Sequence, residues 1–237
     1  MIKSKLLTNV IFATLLLGLI AVPVLAVTYN PGVTTGQYIK YGNFVGTGPG
    51  LEDFSNYDSQ TLQVTKVTGT QVTFLTTGQY KNGTATPGNG TVTVWDIAAG
   101  TEDGAEKTQG PIIAANLNAG DPIPPQNTYT INSTENRHYL GVARSVNVLS
   151  ITISTPDYNS SLTYIYDKAS GMLLESSSLT TVQGESGPVV SEYSYSTIET
   201  NIFTSAPSVP EIPVIYAAII AIVVALVLVL IMLRKRI

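Results

Sequence analysis

The sequence predicts a mainly β protein, an antiparallel meander shaped as a half-barrel or sandwich with at most short helices, followed by one C-terminal transmembrane helix. Three observations carry this reading. Residues 27–203 are rich in Thr, Ser, Val, Tyr and Gly and poor in charge, which favours pleated strands joined by turns. Several stretches alternate: Val72 and Phe74 oppose Gln71 and Thr73, Val92 and Val94 oppose Thr91 and Thr93, and Leu149, Ile151 and Ile153 oppose Ser150 and Thr152. A period of two leaves one face of a strand buried and the other wet. Residues 214–233 are twenty in a row without charge, fourteen of them Leu, Ile or Val, followed at once by Arg234, Lys235 and Arg236. At about 1.5 Å per residue that run spans roughly 30 Å, the thickness of a bilayer's hydrocarbon core.

The chain opens with Lys3 and Lys5, an apolar stretch to about Ile20, and Ala21-Val22-Pro23-Val24-Leu25-Ala26. This is the layout of a secretory signal, residues 1–26, cleaved after Ala26; left uncleaved, it would form a second membrane span. The exported domain is residues 27–204. Its strands are expected at 37–45, 61–68, 70–77, 91–97, 128–132, 139–154, 161–167, 172–182 and 192–202. Gly69, Lys81-Asn82-Gly83 and Asp167-Lys168-Ala169-Ser170-Gly171 mark hairpins, since Gly and Asn supply the positive φ of tight reversals. Residues 111–117, between Gly110 and Gly120, fit a two-turn helix or a buried strand equally well. Residues 205–213 carry three prolines at intervals of three and read as an extended stalk. Then come the membrane helix, 214–233, and a basic cytoplasmic tail, 234–237, which the positive-inside rule holds within the cell.

Charge follows the same partition. Five of the twelve Lys and Arg lie in the two hydrophobic-end segments, whereas all sixteen Asp and Glu lie between Glu52 and Glu211, so the exterior part carries a net −9. An acidic exterior argues against nucleic acid and anionic membrane surfaces as partners. The chain has no cysteine. The exported domain must therefore be held by its own core, and thiolate metal sites and lipid-modified cysteines are excluded.

The tail Val209-Pro210-Glu211-Ile212-Pro213, an apolar helix and Arg234-Lys235-Arg236 together resemble the three-part PEF-CTERM sorting tails of archaeal surface proteins, whose signature is Val-Pro-Glu-Phe-Pro. The resemblance covers about 29 residues at the C-terminal end of the chain and departs at Ile212, where that family has Phe. It implies a membrane-anchored archaeal surface protein, either retaining its helix or processed by a transpeptidase of the archaeosortase type. Tyr164-Ile165-Tyr166-Asp167-Lys168-Ala169-Ser170-Gly171-Met172-Leu173-Leu174-Glu175 is similar to a hairpin of uncharacterised archaeal exported proteins and of lipoprotein-carrier-type antiparallel half-barrels. That resemblance implies a fold and no function.

Chemistry-bearing residues are sparse. The sole histidine, His138, sits beside Arg137 and Tyr139 with no Gly-x-Ser-x-Gly elbow in the chain, and reads as a surface or structural residue. Asp96, Glu102 and Asp103, with Gly100 and Gly104 between and after them, are the candidates for calcium, which takes carboxylate and carbonyl oxygens. They lack the Asp-x-Asp-x-Asp-Gly spacing, and the plainer reading is a solvated loop. No residue pair selects itself for carboxylate catalysis, and no Lys-Ser/Thr follows the Gly-rich residues 46–50. Tyr164/Tyr166 and Tyr193/Tyr195, at i,i+2, share a strand face. Cross-strand packing explains them first; a groove for glycans or apolar ligands is the other reading. Asn82, Asn89, Asn132 and Asn159 open N-glycosylation sequons.

The sequence thus points to a single-pass cell-surface protein with a non-catalytic binding or envelope-structural exterior domain, no cofactor, and the bilayer as its anchor. Envelope proteins, glycans or an apolar ligand are the candidate partners, and nucleic acid is not among them. The alternatives are an apolar-ligand or lipid carrier and an extracytoplasmic hydrolase built on carboxylates.

Overall fold

The computed structural model describes residues 27–107, 109–125, 128–184 and 187–204. The expected signal (1–26) and all residues after Thr204, and with them the stalk, membrane helix and tail, lie outside the described residues. Among the described residues no helix is long and apolar enough to cross a membrane. The chain divides into two units, Met1–Ile202 and Phe203–Ile237, and the first is the subject here.

That unit is antiparallel β structure with almost no helix. Its strands are β1 (Tyr38–Thr47), β2 (Tyr57–Thr68), β3 (Gln71–Tyr80), β4 (Thr91–Asp96), β5 (Thr101–Glu102), β6 (Ala105–Glu106), β7 (Pro122–Ile123), β8 (Tyr129–Thr130), β9 (Ser133–Tyr139), β10 (Val142–Thr155), β11 (Tyr158–Asp167), β12 (Leu173–Gly184) and β13 (Gly187–Thr200). Eleven of them form one sheet in the order β6-β5-β4-β3-β2-β1-β13-β12-β11-β10-β9, and β7 pairs with β8. Two meanders are therefore stitched together by β1 and β13, which bring the two ends of the domain side by side, with Ile39 opposite Thr200.

The strand expectations hold in kind and differ at the ends. The expected strand 139–154 is two strands, because Leu140 and Gly141 both take positive φ (51° and 80°) and reverse the chain between β9 and β10. Segment 101–106 is a small hairpin turning at Asp103-Gly104, both again at positive φ. Residues 111–117 are neither helix nor sheet strand. They form a strap whose backbone groups bond outward: Leu173 N–H to Pro111 O at 2.9 Å, Ile113 N–H to Gly171 O at 2.9 Å, Asn116 N–H to Lys168 O at 2.7 Å and Ala115 N–H to Asn30 O at 2.9 Å. Every amide so engaged is unavailable to an i→i−4 helix, so tertiary partners override the local pattern.

The strap lies in the core. Ile112, Ile113, Ala114 and Leu117 are buried together with Ile39, Val64, Phe74 and Leu149 from the sheet. Gly110 sits against the Trp95 ring of β4, where an added Cβ would fall 1.9 Å from a ring carbon, and its carbonyl accepts the Tyr166 hydroxyl of β11 at 3.2 Å. β4 and β11 are six strand steps apart, roughly 29 Å in a flat sheet at about 4.8 Å per step. Both reach one glycine, so the sheet bends round the strap.

The strap's dock is the β11–β12 turn. Asp167, fully buried, accepts a bidentate pair from Arg144 (2.7 and 2.8 Å) and bonds from Ser170 N–H and Oγ (2.8 and 2.7 Å). Gly171 takes φ +76°, and a Cβ there would meet the Ile113 carbonyl at 2.0 Å. The Asp-Lys-Ala-Ser-Gly run is thus a built corner. Removing the acid takes the bidentate partner from a largely buried guanidinium and the acceptor from Ser170, so Asp167→Ala is expected to lower the unfolding free energy in urea by about 3 kcal/mol. Glu199→Ala, which breaks the exposed 3.9 Å pair with Lys40 and an exposed 2.7 Å hydrogen bond from the Tyr38 hydroxyl, is expected to cost about 1 kcal/mol or less.

Candidate functional site

Where the sheet curls towards the strap it leaves a cleft of about 400 Å³, open on one side. Its floor is apolar: Tyr41 of β1, Phe74 of β3, Trp95 of β4, Tyr164 of β11, Leu173 of β12 and Tyr195 of β13. These rings and side chains share the inner face because of register. Tyr164 and Tyr195 both stand opposite Ser176, Phe74 opposite Thr93, and Tyr41 opposite Gln60. Tyr41 and Tyr195 meet edge to face with centroids 5.2 Å apart, and Phe44 stacks on Tyr195 at 5.6 Å. Such contacts fix ring orientation beyond what burial alone gives.

Burial governs the floor's electrostatics. Desolvation holds the Tyr41, Tyr164 and Tyr166 phenols well above their ordinary range and pushes Tyr195 up to about 12. The Tyr41 hydroxyl donates to Leu173 O at 2.9 Å, so its hydrogen bond is spent within the fold. The floor therefore presents ring faces and edges, neutral at any physiological pH.

The wall is polar and uncharged. Gln60 of β2, Thr76 of β3, Thr93 of β4 and Gln109 of the strap line it, all half-buried. None of these four side chains makes a hydrogen bond to a described residue. At the rim, Lys107 Nζ lies 3.5 Å from Glu102 Oε2, and this pair supplies the only charges among the described lining residues.

Apart from Tyr164, Tyr195 and the rim residue Glu102, the candidate residues singled out in the sequence lie outside the cleft. Asp96 closes β4 and accepts Thr70 Oγ1 at 2.9 Å, the Ala98 and Ala99 N–H groups at 3.1 Å each, and Gln71 Nε2 at 3.3 Å. Burial works to raise its pKa, but these hydrogen bonds outweigh it and the carboxyl is lowered. Asp103 accepts the Val94 N–H at 2.8 Å and prolongs the β4 ladder, while Glu102 is paired with Lys107. Among the described residues no group of three or more His, Cys, Asp or Glu is arranged to hold a metal ion. His138 is exposed on β9, at the sheet edge. All four sequon asparagines are exposed; Asn82 and Asn89 lie in the turns after β3, Asn132 precedes β9, and Asn159 lies within β11 where a turn is expected from sequence.

Of the tyrosines that the i,i+2 pattern marks, Tyr164 and Tyr195 line the cleft. Gln60, Thr76, Thr93, Trp95 and Gln109 carry no local signal, because the sheet's curl brings them together from four separate elements. Compared with known proteins, the chain matches no protein-family model and no characterised relative, so function is argued from this geometry.

The tyrosine floor makes an alkaline limit. The folded-state pKa of each buried phenol lies above the unfolded value of about 10, so the neutral form stabilises the fold. That contribution is complete below pH 10 and is lost as pH rises, across roughly 10 to 12 for Tyr195 and further for Tyr41 and Tyr166. Unfolding free energy measured by urea titration is expected to be flat from pH 8 to 9.5. Above pH 10 it is expected to fall by about 1.4 kcal/mol per pH unit for each linked tyrosine. The fall is expected to be shallower in Tyr195→Phe.

Proposed function

We propose that this chain is a membrane-anchored cell-surface protein whose exterior domain, curled as a half-barrel, is a non-catalytic binding module with its ligand seat in the aromatic-floored cleft. The observation that carries the reading is the wall of that cleft. Two side-chain amides and two hydroxyls face a concave space of small-molecule size without partners among the described residues, over an apolar floor. In the open cleft these groups are met by water, and an occupant that covers one without hydrogen-bonding it forfeits about 1–3 kcal/mol. A ligand that bonds them avoids that loss.

The chemistry of the lining supports binding over turnover. A hydrolase on carboxylates needs two acids facing one cleft. The described lining offers Glu102 alone, and Lys107 neutralises it. The anchoring half of the reading rests on the uncharged run 214–233, the basic residues that follow it and the net −9 between the two apolar ends. A carrier of apolar ligands is the second reading, favoured by the floor of five aromatic side chains and Leu173; its weakness is the polar wall.

Native mass spectrometry of the full chain extracted from its own membrane tests both halves. The expected product begins at Val27, partitions with membranes, and carries a small-molecule adduct released on mild activation. A freely soluble product with its leader intact contradicts the anchor. A bare polypeptide contradicts the binding module.

A further inference from the structure

Resting on the binding reading of the same cleft, we propose that its ligand is a neutral saccharide of mono- or disaccharide size. Three ligand classes are separable by the lining. A charged ligand entering a half-buried site needs a free counter-charge. The rim's two charges, Lys107 and Glu102, lie 3.5 Å apart and answer each other, so neither an anion nor a cation finds one. A purely apolar ligand packs well on Tyr41, Phe74, Leu173 and Tyr195, but it covers the amides of Gln60 and Gln109 and the hydroxyls of Thr76 and Thr93 without replacing the water they lose.

A neutral sugar satisfies both surfaces. Its hydroxyls donate and accept, matching side-chain amides that carry one acceptor and two donor hydrogens each. Its C–H faces pack on aromatic rings, whose area and rigidity suit them to that contact. The geometry sets rings and polar groups side by side: Gln60 of β2 stands opposite Tyr41, Thr93 of β4 opposite Phe74, and Gln109 lines the cleft next to Gly110, which sits against Trp95. Tyr41 has its hydroxyl committed to the Leu173 carbonyl, so its contribution is the ring, and orientation falls to the amides and threonines. The cleft's volume, about 400 Å³, is near the lower end for small-molecule sites and admits a short sugar, with the open side leaving room for an attached chain.

Trp95 is the only tryptophan in the sequence and lines the cleft, so tryptophan emission, excited beyond the tyrosine absorption band, arises at this site. The test uses the full chain reconstituted in phosphatidylcholine vesicles, with no glycoside detergent, titrated with maltose, cellobiose, mannobiose, chitobiose, digalacturonate and palmitate. A saturable change in Trp95 emission is expected with at least one neutral disaccharide and none with digalacturonate. Gln60→Leu and Gln109→Leu, at half-buried positions outside the core, are expected to keep the wild-type melting temperature and each weaken that saccharide by roughly five- to tenfold.

Saccharide binding unchanged in both variants overturns the inference, as does a response to palmitate without one to any neutral sugar; in the latter case the cleft remains a binding site for another class. Silence from every probe, together with a bare polypeptide in native mass spectrometry, removes the saccharide and the binding reading alike.

Discussion

The fold depends on keeping one short strap inside a sheet that would otherwise lie open. Eleven antiparallel strands in a row leave two large faces, and a face lined by Ile39, Val64, Phe74 and Leu149 must be covered to leave water. The chain covers it with residues from its own middle. Ile112, Ile113 and Leu117 enter the concavity, and the strap's carbonyls and amides are taken up by the β11–β12 turn instead of by a helix. Two glycines permit the approach: Gly171 where the Ile113 carbonyl lies, and Gly110 where the indole of Trp95 lies. The buried Arg144–Asp167 pair holds the turn that receives the strap. Curvature, core and dock are in that sense one construction.

The cleft follows from where this construction leaves space. The strap meets β11 and β12 closely, through Tyr166, Met172 and Leu173, and meets the far side chiefly through Gly110 on Trp95. Between those attachments the inner faces of β1 to β4 and of β11 to β13 do not close on each other. The space inherits an apolar floor from residues that belong to the core and a polar wall from residues at its margin. Sheet alternation accounts for the floor: Phe74 points inward because its neighbours Thr73 and Leu75 point outward. It also places Thr76, two residues on, on the same inner side, where a hydroxyl is tolerated only because the space is wet or occupied.

How much of this was legible in the sequence divides by the range of the interactions. The mainly β class, the antiparallel sense and most strands follow from period-two patterning and Gly or Asn reversals, which are local. The break at Leu140-Gly141 was hidden, because a leucine at positive φ carries no turn signature and Val142 resumes an apolar run. Residues 111–117 could not be decided locally, since Ile112, Ile113 and Leu117 suit a helix stripe or a strand. What decides them is Gly171, some sixty positions on, and the carbonyl it exposes. The Asp-Lys-Ala-Ser-Gly run announced a hairpin correctly, but its aspartate's partner, Arg144, lies on a different strand and gave no sign. The acidic residues 102–106 drew attention by composition, whereas their backbone makes a hairpin and Asp103 serves the β4 ladder. The tyrosine pairs were readable as a face; the amides opposite them were not, because no spacing relates Gln60 to Gln109.

Charge distribution adds a last constraint on what such a cleft selects. The segment between the two apolar ends is strongly acidic, with a net −9 by sequence, yet the cleft contains one compensated pair and otherwise only uncharged groups, chiefly rings, amides and hydroxyls. Long-range fields from the surrounding acids repel anions and are screened within about 8 Å at physiological salt, so they tune approach more than fit. Discrimination inside then falls to short-range terms: ring faces that reward flat C–H surfaces and amides that penalise any occupant unable to bond them. Specificity is a difference of affinities, and here the difference comes from groups that are costly to cover wrongly. A lipid tail and a sugar ring find the same floor. Only the wall tells them apart, so under the binding proposal the two glutamines, and not the more conspicuous tyrosines, would set the identity of the ligand.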